Sequence, residues 1–138
     1  MTLLTSAPQG YAVIRLGGLL RALLLIWLMP AAIGALALAV QWLLNTPALG
    51  GAGLMAWATT VLLVLSPLLS WLALVLAAPF VAALLDRGWF GWIPALLLGM
   101  ASGGVLAYLL ANDLAITFGA ALITALRALL AKRHPSAF

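Results

Sequence analysis

The chain has 138 residues, of which 67% are hydrophobic and 6% charged, against about a quarter charged in ordinary soluble domains. So few charges cannot cover the surface of a water-soluble domain, and the absence of cysteine removes disulfides, thiolate metal sites, iron–sulfur clusters and cysteine nucleophiles. Six Lys and Arg against two acidic residues leave a formal charge of +4, which in so apolar a chain reports orientation in a membrane and not nucleic-acid binding.

Residues 1–21 read as an interfacial N-terminal segment, in which Thr5, Ser6, Pro8, Gln9 and Gly10 precede Arg15 and Arg21 around a Gly17-Gly18 pair. Basic residues before an apolar run also suit a signal peptide. The run is longer than the roughly 7–15 residues of such a region, so the segment is expected to be retained. The first span covers about 22–44, enough to cross a hydrocarbon core of about 30 Å. Pro30 should bend it near its start. An uncharged turn cluster from Asn45 to Gly53 ends it.

The second span, about 54–85, would measure about 48 Å as one straight helix, more than a bilayer needs. Pro67 and Pro79 are expected to kink it, because each lacks an N–H and clashes with the carbonyl four residues earlier. Ser66, Pro67 and Ser70 have two readings. A broken helix could expose carbonyls along a cation pathway, or the serines could bond their own helix around the kink.

Asp86-Arg87-Gly88 is followed at once by Trp89, Phe90 and Trp92, aromatics beside a basic residue, as at a headgroup boundary. Pro94 suits the first turn of a third span, about 92–111. On that span Ala95, Gly99, Gly103, Ala107 and Ala111 recur every fourth residue and form one small-residue ridge against which another helix can pack closely, in this chain or in a partner. Asn112-Asp113 makes a tight turn whose side chains are candidates to cap the fourth span, about 114–130. Arg127, near the end of that span, is expected to snorkel to the headgroups. Residues 131–138, with Lys132, Arg133 and His134, form a basic tail.

The fold class that follows is an all-α integral membrane protein: four transmembrane helices in a small bundle, the second long and kinked, in a single domain. Four spans put Arg15, Arg21, Arg87, Arg127, Lys132 and Arg133 on one side, which the positive-inside rule makes cytoplasmic along with both termini. These residues, with Trp89 and Trp92, are the expected lipid and interface anchors. No ionisable residue falls mid-span, so a proton relay or buried counter-ion is not expected. The single histidine, His134, lies in the tail, so no haem or other cofactor is expected. The intramembrane hydroxyls have no base within reach, so neither is catalysis.

The function expected is that of a non-catalytic accessory or scaffold subunit of a larger inner-membrane complex, respiratory, photosynthetic or transport, packing against lipids and other integral membrane subunits. The alternative is a small homo-oligomeric channel or transporter lined by Ser66, Ser70, Ser102, Thr117 and Thr124. The Ala- and Leu-rich, Lys-poor composition points to a bacterial source.

Overall fold

Long uncharged runs of helix-forming Leu and Ala leave the backbone only its own carbonyls to bond with, and the chain answers with helices. The computed structural model describes residues 3–44, 51–111 and 113–138. It contains α1 (Gly10–Leu43), α2 (Gly51–Asp86), α3 (Trp92–Leu110) and α4 (Leu114–Arg133), followed by a 3₁₀ turn at Pro135–Ala137. No strand occurs among the described residues. All four long helices have the length and composition to cross a membrane. Of the turn expected from Asn45 to Gly53, residues 51–53 are instead the first of α2; its remainder and the Asn112 cap lie outside the described residues.

Helix α2 starts three residues earlier than expected and α4 runs three residues further, so that Ala131, Lys132 and Arg133 of the expected tail belong to its last turn; two other boundaries differ in ways that matter. Helix α1 begins at Gly10, not near Ala22, so most of the expected interfacial segment is helical. The helix is interrupted at Arg15, whose φ of 58° and ψ of 162° break the helical path, and it resumes through Gly17 and Gly18 despite their poor propensity. Helix α3 ends one residue early: Ala111 is its cap, at φ 50° and ψ 41°, with its N–H bonded to the Ala107 carbonyl. Ala111 therefore does not belong to the ridge, because a residue in the left-handed region has left the helix.

Helix α2 is one element of 36 residues that passes through both prolines. Pro67 has no N–H for the carbonyl of Leu63, and the Ser66 hydroxyl donates to that carbonyl instead at 2.7 Å. Ser70 donates likewise to the Ser66 carbonyl at 2.8 Å. The serines thus bond their own helix.

The chain divides into two compact units, one formed by Met1–Ile26 and Leu72–Phe138, the other by Trp27–Trp71. In the second unit α1 and α2 meet closely at Gly34, where an added Cβ would sit 2.8 Å from the Val64 nitrogen and 3.0 Å from the Thr60 carbonyl oxygen. Trp27 Nε1 donates to the Pro67 carbonyl at 3.0 Å and Gln41 Nε2 to Thr60 Oγ1 at 3.2 Å, so both ends of this contact are fixed by polar groups.

In the first unit the ridge faces α4. A Cβ on Gly99 would lie 2.6 Å from the Gly119 carbonyl oxygen, and one on Gly119 2.5 Å from that of Gly99, while at Gly103 the Ala115 carbonyl leaves no room for one. Ala95 and Ala107 are buried on the same side. The remaining core includes Ile14, Leu19 and Ala22 of α1, Ala77, Val81 and Leu85 of α2, and Ile123, Leu126 and Leu130 of α4.

Candidate functional site

Three segments far apart in sequence are laced together in the first unit. Before α1, the N–H groups of Ser6, Ala7 and Gln9 donate to the carbonyls of Gly88 (2.7 Å), Ala137 (3.0 Å) and Asp86 (3.1 Å). The Ile93 N–H donates to the Leu3 carbonyl at 3.0 Å, and the Phe90 N–H to Ser6 Oγ at 3.3 Å. Gly88 sits at φ 71°, where a Cβ would be strained and only 3.1 Å from Pro8; glycine alone suits both demands. The His134 ring lies against Gly18 of α1. The N-terminal segment, the α2–α3 connection and the C-terminal tail therefore share one end of this unit.

Arg127 lies beneath that end. Its side chain is 1% exposed, whereas the sequence suggested a cation reaching out to headgroups. The guanidinium carbon stands 4.1 Å from the centre of the Trp92 ring and 5.1 Å from that of Phe138. Phe90, fully buried, supports the Phe138 ring at a centroid distance of 6.4 Å. Stacked rings partly compensate an enclosed cation, by about 0.5–2 kcal/mol each. They accept no conventional hydrogen bond in its plane, and Nε and Nη1 of Arg127 have no partner. Among the described residues no carboxylate pairs with it, and Asp86 and Asp113 are both exposed.

The cause of the burial is register. Gly119, Leu122, Ile123, Leu126, Leu130 and Ala131 are the other buried residues of α4, a stripe at three- and four-residue spacing, and Arg127 falls within it. That stripe was readable in the sequence and would have placed the arginine inward. Nothing local to Arg127 signals that Phe138 closes over it, because the tail is brought there by its bonds to residues at the other end of the chain.

The other expected anchors divide. Arg15, Arg21, Arg87, Lys132, Arg133 and Trp89 are exposed, while Trp92 is half-buried under Arg127. Asp86 and Arg87 form no ion pair with each other among the described residues; the part of Asp86 in use is its carbonyl, which holds Gln9. Asp113 stands at the start of α4 but makes no side-chain capping bond. Of the hydroxyls considered as a pathway, Ser102 donates to the Gly99 carbonyl at 3.1 Å and Thr124 to the Ala120 carbonyl at 2.6 Å. With Ser66 and Ser70 they are engaged by their own helices, and Thr117 is exposed. Among the described residues no three His, Cys, Asp or Glu side chains gather as metal ligands.

The chain matches no protein-family model, no curated protein and no solved structure.

Proposed function

We propose that this chain is a non-catalytic accessory or scaffold subunit of a larger complex in a bacterial inner membrane, with both termini cytoplasmic and α2 bent at Pro67 and Pro79. The observation that carries this reading is the extent of unpaired apolar surface. Exposed large apolar side chains run from Leu16 to Leu43 on α1 and from Leu54 to Phe80 on α2. Stripes of this extent, left uncovered within the chain, offer a face to apolar protein surface as well as to lipid.

The cytoplasmic assignment rests on the placement of all six cations, Arg15, Arg21, Arg87, Arg127, Lys132 and Arg133, in the unit whose terminal segments are laced together. The small-residue ridge adds no outward contact, since Gly99 and Gly103 pack on α4. The engaged hydroxyls weigh against the alternative, a small homo-oligomeric channel or transporter, because a pathway needs polar groups free to face it.

Extraction of native membranes in a mild detergent, affinity capture of the full chain and identification of its companions tests the proposal. A stoichiometric integral membrane protein of different sequence is the expected result. Recovery of the chain alone as a monomer overturns the proposal, and recovery only as copies of itself favours the channel reading.

A further inference from the structure

Arg127 is a cation without an anion. It is enclosed, its Nε and Nη1 bond to nothing, and a buried charge is retained only when something compensates it. The chain itself has little to offer. Asp113 begins α4, about 20 Å along the helix axis from Arg127, and Asp86 is exposed at the end of α2. Among the described residues no carboxylate, that of Phe138 included, forms an ion pair with Arg127, and the compensating anion is sought outside the chain.

The surroundings select its class. A guanidinium presents a planar fork of donors suited to phosphate oxygens. Lys132 and Arg133 lie exposed in the last turn of α4, about 8–9 Å further along the same axis, so the field at this end rises toward the tail. Basic pockets between transmembrane helices take anionic headgroups in this way. Of the two rings on Arg127, Trp92 belongs to the first turn of α3 and is held by the helix. Phe138 follows the 3₁₀ turn and is held by its own N–H on the Pro135 carbonyl at 3.3 Å, a long bond, with its ring 5.1 Å from the guanidinium. It is the wall that can yield.

We propose that the Arg127 guanidinium is the phosphate-binding group of an anionic phospholipid site, with Trp92 as its floor and the Phe138 ring as a cover that the headgroup displaces. A protein carboxylate is the less favoured partner, because it neutralises one charge and leaves Lys132 and Arg133 unanswered, whereas anionic lipid answers all three from the same layer. The site does not depend on which complex the chain joins, and the isolated full chain tests it.

The chain, purified in neutral detergent, is titrated with phosphatidylglycerol, with phosphatidylcholine of the same acyl chains, and with inorganic phosphate, following the melting temperature and the bound lipid by native mass spectrometry. Phosphatidylglycerol is expected to be retained and to raise the melting temperature. Phosphatidylcholine should do neither, and inorganic phosphate alone should not reproduce the shift. Arg127→Gln should weaken phosphatidylglycerol about tenfold, as expected for a charge-assisted contact, with a smaller loss for Lys132→Gln. Phe138→Ala, which keeps Arg127 and removes the cover, should strengthen it. Should Arg127→Gln fail to fold, the Nε–H resonance of Arg127 in the unmutated chain decides, since it must move with phosphatidylglycerol and not with phosphatidylcholine. Equal binding of the two lipids, full binding by Arg127→Gln, an unmoved resonance, or an equal shift from inorganic phosphate each overturns the proposal, the last by assigning the site to free phosphate.

Discussion

The Leu63 carbonyl, deprived by Pro67 of its helical donor, takes the Ser66 hydroxyl at 2.7 Å, which makes the two residues an interdependent pair. Ser66→Ala should cost about 1 kcal/mol by leaving a half-buried acceptor without its donor. In a Pro67→Ala background the same change should cost much less, because residue 67 then supplies an N–H. A double-mutant cycle read by thermal melting in detergent measures the difference, and additive effects would show that the hydroxyl does not serve this carbonyl. At Ala111, φ 50° puts an L-residue in the left-handed region at a helix end, where glycine is the preferred occupant. Ala111→Gly should therefore stabilise the chain, by up to about 1 kcal/mol, and a lowered melting temperature would contradict the assignment. At this scale the sequence was legible where the cause is local. Proline beside serine announces its own repair. Arg127 was read as an outward-reaching cation because proximity to a span end was given more weight than its place in the apolar stripe of α4. The αL cap at Ala111 has no local marker at all, since alanine ordinarily continues a helix.

Among the helices, the α3–α4 contact is defined most sharply by its glycines. Leucine at position 103 would place four carbons where the Ala115 carbonyl and Ile116 backbone of α4 already sit, whereas a Cβ at Gly104 meets nothing within 4 Å. Gly103→Leu should lower the melting temperature, at a cost of about 1–3 kcal/mol or more, while Gly104→Leu should leave it unchanged or slightly raised through better helix propensity. Equal effects from the two would mean that the helices do not approach closely at Gly103. The four-residue period made the ridge legible in the sequence. Its partner was legible too, since Ala115 and Gly119 repeat the same spacing on α4, but a period shows that a face is small without showing what it meets. The early start of α1 was hidden for a different reason: Gly17 and Gly18 argue against a helix and Arg15 against a membrane span, while the burial of Ile14 and Leu19 keeps the segment helical on both sides of the break at Arg15.

For the molecule as a whole, hydropathy and the grouping of charge made the four helices readable, because in lipid an unsatisfied backbone leaves no other choice. Partners were not readable, since exposed Leu and Val look alike toward lipid and toward protein. The proposed orientation is testable because the chain has no native cysteine. Single cysteines in place of the exposed Leu44 and Asp113 should react with an impermeant thiol reagent on intact cells, and those in place of the exposed Trp89 and Ser136 only after lysis. Labelling of Ser136→Cys without lysis would invert the orientation. The laced end has a further consequence in time. The Ala137 carbonyl that receives the Ala7 N–H at 3.0 Å is made long after Ala7, so this stitch closes only once Ala137 has been synthesised. A chain cut short before Ala137 leaves the Ala7 donor unmatched and Gly10 without the cover that Ala137 gives it.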